Sequence, residues 1–276
     1  MPELPEVETV CRGLSPILKG ETLSEVILQR ADLRFPFPER FCKLLQGKKV
    51  VNVKRRAKYI LVIFTDGLIL ICHLGMSGSF RVYFDARPPI HVHDHVLFRI
   101  GDETEVRYHD PRRFGFMALS HSSEIQNHSA FKNIGPEPIN PNLDGELLMS
   151  LLKGRVGPIK NILLNQKVIA GIGNIYASEA LHFAGISPNR KAKNVQGRRA
   201  HDLASALVKV LNQAIAAGGA TLKDHRTPFG EIGYFQNKLQ VYGREGETCK
   251  TCLSGSIIKK IVQANRSTFF CPKCQR

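Results

Sequence analysis

With 276 residues, of which 43% are hydrophobic and 23% charged, the chain has room for two cores and the composition of a soluble globular protein. Its bias is in charge: 39 Lys and Arg against 24 Asp and Glu leave +15 at pH 7, which points to a polyanionic partner, nucleic acid first. No apolar run is long enough to span a bilayer and the acidic start does not read as a signal peptide, so a membrane-spanning or secreted protein is not expected, whereas a ribosome-like basic protein remains open.

The chain opens Met1-Pro2-Glu3-Leu4-Pro5-Glu6-Val7-Glu8. Pro5 suits the start of a helix, Glu6 and Glu8 suit its positive end, and Val7, Val10, Cys11 and Leu14 recur at helical spacing. Pro2 and Glu3 are left as a stiff stub, which a capped first helix alone would explain. From about residue 22 to 119 the pattern is mostly strand. Tyr59–Phe64 and Leu68–His73 flank Thr65-Asp66-Gly67, Val96–Ile100 and Glu105–Tyr108 flank Gly101-Asp102-Glu103, and Phe80–Phe84 and Phe114–Leu119 are further short strands. Pro38–Leu45 reads as a helical interruption. So many short strands predict an antiparallel sandwich or barrel. Three prolines within Pro136–Pro141 then mark a linker. Beyond it the pattern is helical: Leu147–Leu152, Pro158–Gln166, Asn174–Ala184 with Asn174 as N-cap, and Val195–Ala217 stopped by Gly218-Gly219.

Cys249-Lys-Thr-Cys252 and Cys271-Pro-Lys-Cys274 are two knuckles, separated by 18 residues, whose four thiolates would close a tetrahedral structural Zn²⁺ site. Two reducible disulfides are the other reading. Ser256–Gln263 and Arg266–Phe270 between them look like a hairpin, with Asn265 and Arg266 at its loop. Cys11, Cys42 and Cys72 read as small core residues. Gly171-Ile-Gly173 leads into a helix, a geometry that serves as a tight interhelical turn or as a phosphate clamp. Lys54-Arg55-Arg56-Ala57-Lys58 enters an apolar strand. His73 to Gly78 is a glycine loop carrying Met76, and Asp110-Pro-Arg112-Arg113-Phe114-Gly115 sets an aromatic beside two arginines, as a base-displacing wedge requires. His91, His93 and His95 alternate, so that on one strand they would share a face, as polar surface, structural groups or metal ligands.

In this order, the motifs resemble those of bacterial formamidopyrimidine-DNA glycosylases nearly end to end: Pro2 to Glu8, Arg55 to Tyr59, His73 to Gly78, Asp110 to Gly115, Gly173 to Glu179, and the cysteine knuckles with Arg266. The endonuclease VIII group is similar in layout but usually has Gly where this chain has Leu4. The resemblance implies a two-domain α+β fold: an N-terminal antiparallel β-sandwich (1–132), a linker (133–145), a helix–two-turn–helix domain with a lesion-capping loop (146–247) and a zinc finger (248–276). It implies a monomeric, cytoplasmic, nucleoid-associated bacterial enzyme that excises oxidised purines from duplex DNA and cleaves abasic strands. Pro2, freed of Met1, would be the nucleophile and Glu3 the proton carrier, with Lys58 and Arg266 assisting at phosphates. His73, Met76, His93, Arg112, Phe114, Lys160, Asn174 and Tyr242 would contact DNA, and Cys249, Cys252, Cys271 and Cys274 would hold one Zn²⁺. Met76, Arg112 and Phe114 would fill the gap left by a flipped nucleotide, and 220–242 would close over it. Ala220, His225-Arg226-Thr227 and Val156 depart from the family pattern. A zinc-containing nucleic-acid-binding protein without catalysis is the reading from another class, and it leaves the Pro2-Glu3 stub unexplained.

Overall fold

The computed structural model describes every residue except 86, 221–227, 231–232 and 253–254. The chain forms two compact units, Met1–Lys132 with Ala217–Gln236, and Asn133–Ala216 with Asn237–Arg276.

In the first unit, α1 (Leu4–Leu18) begins at a capping box in which Glu3 and Glu6 each accept the other's backbone N–H. Pro5 lies in its first turn, where a missing N–H costs no bond. Two antiparallel four-stranded sheets follow. One has the order β1 (Leu23–Leu28), β6 (Asp94–Ile100), β7 (Thr104–His109), β5 (Ser79–Phe84). The other runs β2 (Val50–Arg56), β3 (Tyr59–Phe64), β4 (Leu68–His73), β8 (Phe116–His121). Alternation along β3 sends Ile60, Val62 and Phe64 inward, into one core with Phe98 and Val106 of the other sheet and Leu14 and Leu18 of α1. The Asp-Gly hairpin forms as read: Gly67 takes φ 82° and the Leu68 N–H donates to Asp66 Oδ1 at 3.2 Å. Cys11 and Cys72 are buried and Cys42 partly so.

Three local expectations are corrected. The interrupting helix is only α2 (Phe41–Leu45), because Arg40 turns left-handed at its start (φ 56°). The strand expected from Phe114 begins at Phe116; Phe114 lies in the irregular stretch between the turn at 111–112 and that strand. The three histidines do not share a strand face, since β6 begins at Asp94. His91 and His93 lie in the loop before it, and only His95 is in the strand, buried, with Nε2–H donating to Asp110 O at 2.9 Å.

The second unit opens on residues 133–144, which hold no helix or strand. Then come α3 (Gly145–Leu152), capped by Asp144 accepting the Leu147 N–H at 2.7 Å, α4 (Ile159–Leu163), α5 (Asn174–Phe183) and α6 (Arg198–Ala216). Leu203 and Leu207 of α6 share a core with Leu148 and Leu152 of α3 and Ala177 and Leu181 of α5. A hairpin, β9 (Lys259–Gln263) and β10 (Arg266–Phe270), ends the unit. Ala264 and Asn265, both left-handed (φ 47° and 58°), make its two-residue turn, so Arg266 starts a strand and does not belong to the loop. Among the described residues no helix is long and apolar enough to cross a membrane.

Candidate active site and nucleic-acid interface

Pro2 and Glu3 are buried, with Met1 exposed ahead of them. The Glu6 carboxylate ties this stub down: Oε2 accepts the Glu3 N–H at 2.8 Å and Oε1 accepts the Ala220 N–H at 2.8 Å. Glu6 was legible only as a helix-start acid; its grip on Ala220 spans 214 positions, and no local pattern signals it. Glu8, on the same helix, accepts from Arg55 Nε at 3.0 Å. This fixes β2 two residues ahead of the tight turn where Ala57 is left-handed (φ 52°) and Lys58 is buried.

The loops carrying Met76 and Phe114 are built on one buried carboxylate. Asp110 Oδ1 accepts the Ser77 hydroxyl at 2.5 Å and Oδ2 accepts the Gly115 N–H at 2.8 Å and the Tyr108 hydroxyl at 3.3 Å. The Ser77 hydroxyl in turn accepts the Arg112 N–H at 3.2 Å. Gly75 must be glycine, because a Cβ there would lie 2.3 Å from the Phe114 carbonyl carbon. The outcome is a set of exposed side chains on a rigid base: Met76, Phe114, and Arg112 with its guanidinium 4.8 Å from the Phe114 ring centre. Asp110 also donates its N–H to His93 O at 3.0 Å, bringing the histidine loop to the same place.

That loop is pinned from below by Arg107, which is 2% exposed. Its guanidinium donates to Pro88 O and Pro89 O, to Glu105 Oε1 and to Asp94 Oδ2. Asp94 further accepts from His109 Nδ1 at 2.7 Å and from the His91 N–H at 3.0 Å. Burial works against the Asp94 charge, but the His109 bond, its backbone bond and Arg107 outweigh it and hold the carboxyl at about 2. The rings of His91, His93 and His109 lie 5.1 to 5.8 Å apart, yet among the described residues they do not present a ligand set for a metal.

His73 stacks on Phe116 and packs against Tyr59, and its Nδ1 accepts the Gly75 N–H at 3.0 Å, so the neutral ring carries its proton on Nε2. Burial, then Lys58 and Arg34, push its pKa down to about 4. An imidazole kept neutral in the folded state gives full stability above the unfolded value near 6.5, and this is lost as pH falls from there to about 4, since the unfolded chain binds the proton first. We expect this to remove at most about 3 kcal/mol. Urea midpoints at pH 7.5 and 4.5 should converge in His73→Leu relative to the parent; an unchanged difference refutes the assignment, since His95, His128 and His182, also lowered by burial, stay in both proteins.

In the second unit two side chains, Lys160 and Asn174, converge on Ser267. Its carbonyl accepts from Lys160 Nζ at 3.3 Å and from Asn174 Nδ2 at 2.9 Å. Lys160 is fully buried and also donates to Thr268 Oγ1 at 2.5 Å, while Asn174 reaches the Tyr242 hydroxyl at 3.4 Å. Arg266, next in chain to Ser267, is exposed. Asn174 is not the cap of α5: Gly173 holds that position in extended backbone, and Asn174 is the first helical residue, leaving its side chain free to bridge to β10. Tyr242 is set by Glu179, a buried carboxylate on α5 that accepts the backbone N–H groups of Gln240, Val241 and Tyr242 at 2.8 to 3.0 Å. Burial pushes the Glu179 pKa up against those bonds. Val156 is exposed and Ala220 buried; His225-Arg226-Thr227 and much of the 220–242 segment lie outside the described residues.

The sulfurs of Cys249, Cys252, Cys271 and Cys274 all lie within 4.8 Å of one another, and none is in a disulfide. Cys249 and Cys274 are 3.8 Å apart, the separation of about 3.8 Å that two sulfurs at 2.3 Å from one tetrahedral Zn²⁺ require. The Cys274 N–H points at Cys271 Sγ (3.4 Å), a bond suited to a thiolate. The donor set fits one structural zinc, which when bound would close the finger.

Residues 1–117 match the family model described as the formamidopyrimidine-DNA glycosylase N-terminal domain, residues 134–226 that of its H2TH domain, and residues 246–276 a zinc finger found in FPG and IleRS. The chain is 50% identical to a formamidopyrimidine-DNA glycosylase of Beijerinckia indica, covering 100% of both chains. It superposes with TM-score 0.90 at 35% identity on wild-type Lactococcus lactis FPG (MutM) in complex with DNA containing an oxidised pyrimidine, covering 100% of both chains. A mutant of that protein bound to DNA containing Fapy-dG gives TM-score 0.91 at 34% identity, again over 100% of both.

Proposed function

The chain belongs to the formamidopyrimidine-DNA glycosylase family, and on that premise we propose that it removes oxidised purines from duplex DNA and then cleaves the strand, through an N-terminal proline freed of Met1. The secondary amine of Pro2 attacks C1′ of the damaged nucleotide. The glycosidic C–N bond breaks, and the base leaves with the electron pair and a proton. Sugar ring opening leaves an iminium between Pro2 and C1′. The iminium acidifies the C2′ proton; its loss expels the 3′ phosphate, and a second elimination expels the 5′ phosphate. Glu3 carries protons around the sugar, Lys58 and Arg266 stabilise phosphate charge, and Met76, Arg112 and Phe114 occupy the space of the extruded nucleotide. His73 and His93 contact the backbone from the first unit, and Asn174, Lys160 and Tyr242 form or support a phosphate site in the second. The zinc supplies structure and takes no part in the chemistry. The reading places the enzyme in the cytoplasm, on the nucleoid.

The observation that carries this is the buried Pro2-Glu3 stub, held by Glu6 at the positive end of α1. A nucleic-acid-binding protein without catalysis has no need of such a device. The separation from endonuclease VIII rests on Leu4, fully buried as the first residue of α1. Single-turnover excision should be faster on 8-oxoguanine opposite cytosine than on an oxidised pyrimidine; the reverse order would reassign the substrate class while leaving the lyase chemistry in place.

A further inference from the structure

The glycine turn ahead of α5 is fixed by a side chain that no motif singles out. Gln166 is half-buried, and both ends of its amide are used within the turn. Oε1 accepts the Gly171 N–H at 2.8 Å, and Nε2 donates to Ile172 O at 2.9 Å and to Leu164 O at 3.1 Å. Its own carbonyl accepts the Gly135 N–H at 2.8 Å, and the Ala170 N–H donates to Pro136 O at 2.9 Å, so the segment is also held from its other side. Gly135 itself has no room for a side chain, since a Cβ would lie 2.7 Å from the Val168 carbonyl.

These bonds set a direction. A trans peptide carries its C=O and N–H on opposite sides. Gln166 draws Ile172 O toward itself, so the Gly173 N–H points away from Gln166, at the N-cap of α5. Gly171, left-handed at φ 80°, has its N–H turned the other way, onto Gln166 Oε1. A three-residue turn rich in glycine would otherwise sample many peptide orientations. With Gln166 in place, it has one.

We propose that Gln166 is a positioning residue for DNA binding: it orients the 171–173 peptides so that the opening turn of α5, with Asn174 beside it, meets a backbone phosphate without reorganising. The inference rests on the phosphate-site reading of Asn174 and adds to it the residue that pre-orients the site. Gln166→Met keeps the side-chain length and loses all three bonds. Gln166→Glu keeps the acceptor for Gly171 and places a negative charge facing Ile172 O.

The test is a sodium chloride titration of affinity for a duplex holding a tetrahydrofuran abasic analogue, with steady-state excision measured in parallel. We expect Gln166→Met to weaken binding and raise KM about tenfold each and to hold kcat within about threefold, while the slope of log K against log salt stays at the parent value, because the donors it aims are uncharged. A residue that only stabilised the fold would lower the melting temperature and leave affinity and KM at their parent values, and that result overturns the proposal. Asn174→Ala separates the two levels. If it leaves the affinity unchanged, the phosphate site itself is misassigned; if it weakens binding and Gln166→Met does not, only the role of Gln166 fails. Should Gln166→Met not fold, the same titration on Gln166→Glu decides, and an unchanged affinity there overturns the proposal.

Discussion

A protein with an uncleaved residue ahead of Pro2 should form no covalent complex when incubated with abasic duplex and borohydride, while the protein freed of Met1 is trapped. The chemistry of the nitrogen dictates this. With Met1 attached, the Pro2 nitrogen belongs to an amide whose lone pair is delocalised into the carbonyl. Once Met1 is gone, it is a secondary amine whose imine with C1′ is necessarily an iminium. The structure leaves this stub no slack, because Glu3 is bound through its N–H to Glu6, Leu4 is fully buried, and Glu6 is held in turn by Ala220. An extension therefore cannot be accommodated by moving the proline elsewhere. The positive end of α1 disfavours the protonated amine, and the Glu3 and Glu6 carboxylates act in the opposite sense. Excision should fall by about three orders of magnitude or more, in the range for deleting a nucleophile. Intact mass establishes which species is present. Equal trapping by the extended and processed proteins would show that another amine does the work.

Much of this could be read from local pattern, and the exceptions have a common cause. The Asp-Gly hairpin, the alternating strand Tyr59–Phe64 and the cysteine knuckles are decided by residues close in sequence, so their spacing carries the answer. The histidine loop is different. Alternation at His91, His93 and His95 suggested a strand face, but Arg107, buried and bonded to Pro88 O and Pro89 O, holds the chain in a loop until Asp94. Asn174 looked like a helix cap because its neighbours allow it, and it is instead recruited by Ser267, 93 positions away. Asp110 and Glu179 were visible as members of motifs, but their work of holding two loops and a three-amide strap depends on partners that local periodicity cannot reveal. The candidate wedge side chains Met76, Arg112 and Phe114 are exposed and varied in type, so chemistry suggests them; Asp110, which aims them, is buried, and only the fold reveals its work.

Removing the zinc should cost more than the finger. Among the described residues the buried apolar set under residues 246–276 is small: Val241, Ile258 and Phe269 beside Cys249 and Cys271, two of the four cysteines that would hold the metal. A two-stranded hairpin on so little core is marginal by itself, so the metal, whose binding in such sites is of order 10 kcal/mol, decides whether β9 and β10 form. Once β10 loosens, the Lys160 ammonium loses Thr268 Oγ1 and Ser267 O while remaining buried, and Asn174 loses Ser267 O. Weakening the bonds of a buried ammonium is costly, and α4 and α5 are expected to shift in response. Chelation, or Cys271→Ser, is therefore expected to weaken binding to abasic duplex by about a hundredfold or more, the worth of two lost charge-assisted contacts, and to open the chain to protease near residue 246. Adding Zn²⁺ back should restore the chelated protein and leave Cys271→Ser impaired. Two disulfides in place of the metal would give the opposite pattern, with loss of binding on reduction and none on chelation. Undiminished DNA affinity in protein shown by metal analysis to hold no zinc would separate the finger from the phosphate site.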